Sequence, residues 1–458
     1  NFNVVGFKIL VEIKNLSISE SNSIDNGGGI YSKEDLTLKS CVFDNNKGGR
    51  GGALNVYESA SLVIENCVFR NNQANQNGGA MEISQGSHAV IKNTSFISNL
   101  ADNYGGAISL LSPSSAQISN STFESNSSSM GGGAIYTKSA GPLFVKSSVF
   151  SKNTSYQYAA ISAAGNSHIS IINSIFHSNL SDEFNEDPYA TSEEILLLSG
   201  SVQIRKEIVN SAFVNNSGGV RFSGSSENSF ISNTVFANNS DFDVIIEPSG
   251  IPEISNSYIP SITGVAFTQN ILTSGDLGFV DITGNDFHLI ESSVLIDSGK
   301  NIETLLNPDS ITGYSFPIID IEGNQRIAGA SIDIGPYEFS TVRPTITKFD
   351  VEGVRKVDQV LSFVTDAAAS SGRTIASYEI DNGSGTFVSA SSEFSITYTT
   401  SGQRTVRVKV TDDQGEWTIK TLVISIVDLT LDEKIVAATE TGRQEVINSP
   451  STYGLALA

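Results

Sequence analysis

A repeat of 27 residues dominates the first part of this 458-residue chain. Pairs of glycine start at Gly51, Gly78, Gly105 and Gly132. A second pattern, apolar-x-Asn-x-x-Phe-x-x-Asn, runs in phase with them, and its phenylalanines are Phe43, Phe69, Phe96, Phe123, Phe150, Phe176, Phe213 and Phe236. Degenerate copies carry Ile18 and Ile259 at the phenylalanine position, which makes ten copies. A fixed period of this length indicates a solenoid.

Each unit combines short β-branched stretches with turn-forming corners. Leu62, Val63 and Ile64 are one such stretch, and glycine pairs and asparagines stand between the stretches. About 25 residues with three short strands make one rung, and neighbouring rungs lie ~4.8 Å apart. We therefore predict an all-β, right-handed parallel β-helix of about ten coils, similar to the pectin-lyase-like fold. Phenylalanine should stack inside, and asparagine amides should hydrogen-bond along the corners.

Composition limits the partners. The chain has 27 Lys+Arg against 49 Asp+Glu, a formal net charge of −22. Binding to nucleic acid or to an anionic membrane surface needs clustered basic residues, so we expect neither partner. No apolar run is long enough to insert into a membrane. The same charge is compatible with bound divalent cations such as Ca²⁺.

The repeats resemble those of chlamydial-type polymorphic outer membrane proteins. The matching strings begin at Gly52 and Phe69 in one unit and at Gly106 and Phe123 in another. The resemblance covers roughly residues 27–160 well and 160–260 loosely. Members of that family are surface-exposed β-helical adhesins, so the resemblance implies an adhesive surface protein with its β-helix over residues 1–275.

Residues 276–340 carry a different series of motifs. Asp276-Leu-Gly-Phe, Asp286-Phe-His-Leu, Ile296-Asp-Ser-Gly, Asp320-Ile-Glu-Gly-Asn-Gln-Arg and Asp333-Ile-Gly-Pro-Tyr-Glu follow one another in order. The series resembles the closing segment of choice-of-anchor Q proteins, which are secreted bacterial β-helix proteins. The resemblance implies a segment that ends the β-helix. Because a solenoid needs a polar cap, we expect it over the last rung.

The remainder of the chain changes in character. Residues 341–428 alternate apolar and polar positions in strand-length runs, which predicts a β-sandwich. This part resembles a polycystic-kidney-disease (PKD) type domain at Tyr398-x-x-x-Gly and at Val408-Lys-Val-Thr-Asp-Asp-Gln-Gly. Such domains are spacers or weak carbohydrate binders. Residues 429–458 read as an amphipathic helix that starts a stalk or linker.

The cysteines and histidines give no clear site. Cys41 and Cys67 each precede a repeat phenylalanine by two residues and so fall on adjacent rungs. Rung spacing fits a disulfide, but parallel in-register side chains point the same way, so a disulfide and a packed thiol pair both remain open. His88 and His168 share a repeat position three rungs apart, ~14 Å, which is too far for a shared metal.

The period breaks between Leu180 and Ile195, where an acidic insert stands. Insertions on solenoids commonly form functional loops. Ca²⁺ takes six to eight oxygen ligands, and this insert supplies several carboxylates. The candidate metal ligands are Asp182, Glu183, Glu186 and Asp187.

Three basic residues follow the insert: Arg205, Lys206 and Arg221. Carboxylates for Ca²⁺ beside a basic proton acceptor resemble the arrangement of pectate-lyase-like enzymes. There the cation neutralises a uronate carboxylate, and Arg or Lys removes the α-proton. These residues are therefore candidate catalytic groups, although the motifs Gly-His-Gly and Arg-x-Pro-x-x-Arg are missing. The alternative is a solvated acidic loop with scattered surface cations.

Three functions remain open. The first is a secreted or cell-surface bacterial adhesion module that binds a polysaccharide or a cell-surface glycan. The second is a Ca²⁺-dependent polysaccharide lyase or glycoside hydrolase centred on residues 182–221. The third is a structural subunit of an extracellular appendage, in which unpaired strand edges join rods end to end.

Overall fold

The computed structural model describes residues 9–427, apart from 139–140, 166, 182–193, 202–203, 226–227, 248–250, 301–318 and 384–385. These residues form 45 β-strands, numbered here along the chain. The predicted all-β class is confirmed. None of the described residues belongs to a helix able to cross a membrane. The helix predicted over residues 429–458 lies outside the described part.

Strands of successive rungs pair in parallel and in register. The first strand of each rung stacks into one ladder: β1 (Leu10–Lys14), β4 (Asp35–Lys39), β8 (Ser61–Glu65), β12 (His88–Lys92), β16 (Ser115–Ser119), β20 (Leu143–Lys146), β24 (Ile169–Ile172), β28 (Lys206–Val209), β31 (Ser229–Ser232), β34 (Glu253–Tyr258) and β36 (Phe267–Leu272). The second strands follow after a one- or two-residue corner: β2 (Ser17–Ser19), β5 (Val42–Asp44), β9 (Val68–Arg70), β13 (Ser95–Ile97), β17 (Thr122–Glu124), β21 (Val149–Ser151), β25 (Ile175–His177), β29 (Ala212–Val214) and β32 (Val235–Ala237).

Two further sheets complete the rungs. One has six short strands: β6 (Lys47–Gly48), β10 (Gln73–Ala74), β14 (Leu100–Ala101), β18 (Ser127–Gly131), β22 (Thr154–Gln157) and β26 (Leu180–Ser181). The other has ten: β3 (Ile30–Ser32), β7 (Leu54–Val56), β11 (Met81–Ile83), β15 (Ile108–Leu111), β19 (Ile135–Lys138), β23 (Ile161–Ala164), β27 (Leu196–Gly200), β30 (Val220–Gly224), β33 (Val244–Ile246) and β35 (Ile262–Thr263). The predicted parallel β-helix is therefore confirmed.

The phenylalanine column fills the interior. Its eight rings, from Phe43 to Phe236, have no exposed surface. Successive ring centroids lie 4.6 to 5.2 Å apart with nearly parallel planes. This distance matches the rung spacing, so each ring packs on the next without a gap. The predicted core stack is confirmed.

The second asparagine of each repeat forms a buried amide ladder. Oδ1 of Asn99 accepts hydrogen bonds from the backbone N–H and the Nδ2 of Asn72, at 3.1 and 2.9 Å. Its own Nδ2 donates to the Phe69 carbonyl and to Asn126 Oδ1, both at 2.9 Å. The pattern continues from Asn46 to Asn239, so the ladder satisfies backbone groups where the chain turns sharply.

The two cysteines belong to a column of small side chains at the first corner. Both are buried and present as free thiols. The backbone N–H of Cys41 donates to Sγ of Cys67 at 3.3 Å, just as the N–H of Thr94 donates to Oγ of Ser121 at 3.2 Å. The Cys67 thiol therefore accepts a hydrogen bond from the backbone of the preceding rung, as the hydroxyls of later residues in the column do.

The described part of the closing segment lies along the side of the last rungs, whereas we expected a cap over the last rung. Its described residues include β37 (Phe279–Asp281) and β38 (Asp286–Leu289). Phe287, Leu295 and Ile334 pack in one cluster with Ala212 and Val235, which project outward from the second strands. The segment therefore covers the side of the last rungs, because those outward positions are apolar and need burial.

Acidic motif residues hold the closing segment together. Asp320 accepts hydrogen bonds from the backbone N–H groups of Glu322 and Asn324, and Glu338 accepts from those of Ala328 and Asp333. The buried Arg326 donates to the Gly335 carbonyl among these carboxylates. Side-chain carboxylates thus accept the backbone N–H hydrogen bonds that strand pairing would satisfy in a regular β-sheet.

The predicted β-sandwich is confirmed. A three-stranded antiparallel sheet contains β39 (Thr345–Glu352), β40 (Val360–Ala368) and β43 (Glu393–Thr397). A four-stranded sheet contains β41 (Ile375–Asp381), β42 (Val388–Ala390), β44 (Gly402–Asp412) and β45 (Trp417–Ile426). Their facing side chains form a separate core.

The sandwich lies back against the β-helix. Trp417 Nε1 donates to the Gly323 carbonyl at 3.1 Å, and the backbone N–H of Ile419 donates to Asn324 Oδ1 at 2.9 Å. At the other end of the contact, Gly402 faces the side chains of Val42 and Val68 from early rungs. The closing segment and the second and third rungs therefore both contact the sandwich.

We predict that Asn99→Ala lowers the free energy of unfolding by about 3 kcal/mol, because it leaves buried amide and carbonyl partners on two neighbouring rungs unsatisfied. The matched change Asn75→Ala alters an exposed asparagine of a neighbouring loop and should have little effect. Urea unfolding followed by circular dichroism measures both. Equal stability of the two variants would contradict a structural role for the ladder.

Candidate functional site: a cleft between the β-helix and the sandwich

A cleft of about 460 Å³ separates the early rungs from the sandwich. We call it the interdomain cleft. Its β-helix wall follows the first corner of successive rungs, with these corner residues: Asn15, Ser40, Asn66, Asn93, Asn120 and Ser147. Its volume is in the range of protein pockets that bind small ligands or parts of polymers.

The corner residues are outward-facing because of their backbone conformation. Asn66, Asn93 and Asn120 have φ of 56°, 49° and 50°. Asparagine tolerates this left-handed region better than most residues, which explains its recurrence as the first residue of this two-residue corner. Their amides do not join the buried ladder, so the predicted amide stacking holds for the second asparagine of the repeat and not for the first.

The same corner column already binds backbone in the later rungs. Asn233 Oδ1 accepts from the backbone N–H of Lys300 at 2.8 Å, and its Nδ2 donates to the carbonyl of the same residue at 3.1 Å. Asn173 Nδ2 donates to the Ile319 carbonyl at 2.9 Å. These contacts fasten the closing segment. The column can therefore hold an extended, hydrogen-bonding chain from outside the β-helix.

In the early rungs the corner amides face the cleft instead. Oδ1 of Asn66 is buried and has no hydrogen-bond partner among the described residues. Hydroxyls of Ser95 and Thr122, from the adjoining second strands, line the same wall. The wall thus offers amide and hydroxyl groups that repeat at the rung spacing of ~4.8 Å.

The sandwich wall is polar and includes one aromatic ring, that of Tyr398. The guanidinium of Arg404 lies 5.3 Å from the ring centroid of Tyr398 and donates to the Thr400 carbonyl at 2.8 Å. Nε of Arg404 is buried without a partner among the described residues. Arg407 is neutralised by Asp381, with Nε to Oδ2 at 3.0 Å. Arg404 is therefore the cation on this wall that is not paired with a carboxylate.

One end of the cleft is formed by the closing segment through Glu322 and Tyr337. Glu322 Oε2 contacts His288 Nε2 at 3.1 Å, and Asp286 Oδ1 contacts His288 Nδ1 at 2.5 Å. Burial alone would lower the pKa of His288, but hydrogen bonds to Glu322 and Asp286 outweigh burial and raise the pKa to about 9. The imidazolium therefore fixes Glu322 in place at neutral pH.

The predicted catalytic cations are not gathered on one surface. Arg205 pairs with Glu207, Nε to Oε2 at 2.8 Å. Arg221 projects outward from β30 and pairs with Glu194 at 2.7 Å and Glu247 at 3.3 Å. Lys206 lies at the start of β28, is fully buried and donates to the Ser225 carbonyl at 2.9 Å.

The predicted calcium ligands Asp182, Glu183, Glu186 and Asp187 lie outside the described residues, so the calcium site stays a prediction. Among the residues the structure does describe, no group of three or more His, Cys, Asp or Glu is placed to hold a metal. His88 contacts Ser115 Oγ at 2.7 Å. His168 accepts a hydrogen bond from the backbone N–H of Arg205 at 3.1 Å.

Sequence reasoning placed the asparagines at corners but did not find the cleft, because the opposite wall comes from the sandwich. One signal does separate the two asparagine positions. The first position is serine in two copies, at Ser40 and Ser147, whereas the second is asparagine in all eight copies that contain phenylalanine. In the early rungs, which contain both serines, the first position is at least partly exposed, whereas the buried ladder needs every amide.

Comparison with known proteins supports the first part of the fold. A family described as the right-handed β-helix region matches residues 52–186. No curated protein matches the chain. The resemblances to polymorphic outer membrane proteins and to choice-of-anchor Q proteins stay predictions.

Three solved structures are similar to about a fifth of the chain. The PKD1 domain of Vibrio anguillarum Epp is 25% identical, with a TM-score of 0.17, and covers 19% of this chain and 96% of that domain. The PKD1 domain from the Vibrio cholerae metalloprotease PrtV is 25% identical, with a TM-score of 0.17, and the match covers 19% of this chain and 100% of that domain. A structure of carbohydrate-binding modules from the β-sandwich superfamily is 24% identical, with a TM-score of 0.18, and the match covers 20% of this chain and 37% of that chain. TM-scores this low carry no argument about function.

Lys206 gives a pH-dependent prediction. Burial lowers its pKa from 10.5 to about 8. The unfolded chain therefore binds more protons between these two pH values, and the free energy of unfolding should rise with pH across that window. Lys206→Met should abolish this rise and should be at least as stable as the parent at pH 7, since the burial of a charge is removed.

Thermal unfolding between pH 7 and pH 10.5 measures the effect. Lys138→Met, at an exposed position at the end of β19, is the matched control and should keep the rise. The prediction fails if the stability of the parent is flat or falls between pH 8 and 10.5 and Lys206→Met shows the same pH dependence. That result would show that Lys206 is not buried as described.

Proposed function

We propose that this protein binds a polysaccharide in the interdomain cleft and acts as an extracellular, surface-displayed adhesion or glycan-binding module. The corner column carries the proposal. It presents amide groups at the regular rung spacing to a cleft that is open to a chain-like ligand. Sugars are lined with hydroxyls, and amides can donate to and accept from hydroxyls simultaneously.

The contacts of the same column in the later rungs support this use. Asn233 binds the backbone of Lys300 in the closing segment with both atoms of its amide. The early amides have the same left-handed backbone and the same outward direction, but face the cleft. A ligand with alternating donors and acceptors along an extended chain would satisfy them in the same way.

The shape of the opposite wall also suits a sugar chain. Arg404 provides a cation above the buried ring of Tyr398, and Thr399, Thr400 and Thr421 add further hydroxyls. Such polar groups can orient a ligand that is rich in hydroxyls. The two carboxylates that line the described cleft are already engaged, Glu322 by His288 and Asp381 by Arg407, which favours binding of the ligand over its cleavage.

The test removes two cleft amides without straining the corner. Glycine accepts the left-handed backbone, so the double variant Asn93→Gly, Asn120→Gly deletes the side chains and keeps the turn. We expect about tenfold weaker polysaccharide binding, because two hydrogen bonds are lost. Binding is measured on an array of neutral and acidic polysaccharides and then by calorimetry.

The matched control is Asn71→Gly, at the second corner and away from the cleft, where φ is 57° and the amide pairs with Asp44. It should bind like the parent. If the parent binds no polysaccharide, or if the control weakens binding as much as the double variant, the cleft is not a glycan site. Polymer length measured after incubation separates binding from cleavage, and shortening would favour the lyase or hydrolase alternative.

A further inference from the structure

A column of lysines flanks the interdomain cleft. In the first ladder, the last residue of a strand stands immediately before the corner residue. That position is lysine in four rungs, at Lys14, Lys39, Lys92 and Lys146. We call these residues the lysine column. Strand register aligns them, since Lys14 pairs with Lys39 and both Lys39 and Lys92 pair with Glu65.

The column is unusual for this chain. The protein has a formal net charge of −22, with only 27 Lys+Arg in 458 residues. Scattered surface cations would not be expected to recur at one repeat position beside one cleft. Inward positions of the same strands, such as Leu38 and Ile64, are fully buried, so the intervening lysine position faces outward.

Three of the four column lysines are accessible to a ligand, whereas Lys146 is partly buried. The side chains of Lys14 and Lys39 are 53% and 40% exposed, and Nζ of Lys14 lies 2.9 Å from Glu12 Oε2. Lys92 is exposed, and its Nζ has no polar partner among the described residues. Lys39 Nζ contacts Glu65 Oε2 at 3.0 Å, and both side chains are partly exposed. Such ion pairs contribute little to stability, so an acidic group of a ligand can take the place of the Glu65 carboxylate.

The spacing of three column lysines defines the ligand further, whereas Lys14 lies only one rung before Lys39. Lys39, Lys92 and Lys146 are separated by two rungs each, since Glu65 and Ser119 occupy the rungs between them. Two rungs correspond to ~10 Å. Two sugar residues of an extended polysaccharide cover a comparable distance. Arg404 adds a cation on the sandwich side of the cleft.

We propose that the cleft takes an anionic polysaccharide with one acidic group in each two-sugar repeat, and that the lysine column contacts these groups while the corner amides contact the hydroxyls. The inference rests on the proposed glycan function and specifies its ligand class. Carboxylate and sulfate share the chemistry that lysine recognises. A dense polyanion such as DNA is disfavoured, because the formal net charge of −22 on the chain repels it.

The experiment measures affinity of the full chain for five probes: hyaluronan, which has one carboxylate in each disaccharide; chondroitin sulfate, which adds a sulfate; polygalacturonate, which has a carboxylate on every sugar; neutral dextran; and double-stranded DNA. Each is titrated at low and at high salt. We expect hyaluronan or chondroitin sulfate to bind most tightly and to weaken at high salt, since screening acts on exposed charges. The comparison of these two identifies the acidic group.

The variant Lys92→Gln removes one ammonium from the column. It should weaken binding of the preferred polymer about fivefold and reduce its salt dependence. Lys138→Gln is the matched control, because it removes the same charge from an exposed strand end on another sheet, and it should bind like the parent.

The outcomes separate the two proposals. Equal, salt-independent affinity for dextran would overturn the inference and leave the glycan function standing. Preference for polygalacturonate or DNA, or equal loss in Lys92→Gln and Lys138→Gln, would also overturn the inference. Absence of binding to every polysaccharide would overturn both.

Discussion

In-register stacking of rungs at the β-strand spacing is the constraint on which the rest of the structure depends. Once strands pair in parallel with no shift, each repeat position becomes a column that runs along the axis. Every inward column must then be either apolar, like the phenylalanines, or fully hydrogen-bonded, like the second asparagines. Every outward column becomes a line of side chains along the axis, and the proposed glycan site uses one of these columns.

The two asparagine positions show how backbone conformation decides the use of one residue type. At the second corner the side chain of Asn99 turns inward and closes four hydrogen bonds with its neighbours. At the first corner Asn93 has a left-handed backbone and faces the cleft. The inward ladder stabilises the turn, and the outward column leaves amide groups available to another chain. In the later rungs that chain is the protein's own closing segment.

The closing segment and the sandwich convert one face of the solenoid into a cleft. Buried carboxylates such as Asp320 and Glu338 fold the irregular segment, and its apolar side chains cover the last rungs. Trp417 and Ile419 then join the sandwich to the segment through Gly323 and Asn324. The position of the sandwich therefore depends on the segment, and the second wall of the cleft depends on the position of the sandwich.

The sequence by itself determined the architecture of the β-helix, because a repeat of constant length with Phe and Asn in phase is compatible with few structures other than stacked β-rungs. It also determined the sandwich through alternating apolar and polar positions. It also contained the lysine column, which becomes visible when the repeats are aligned on the first asparagine. Tertiary structure alone decided three things. It decided that the closing segment packs on the side of the rungs, because apolar outward residues such as Ala212 and Val235 lie there. It placed first-corner asparagines of the early rungs, such as Asn93, at the cleft, and joined Asn173 and Asn233 of the later rungs to the backbone of the closing segment. It also buried Lys206 and paired Arg221 with carboxylates, which linear spacing could not reveal because the partners Glu194 and Glu247 come from other rungs.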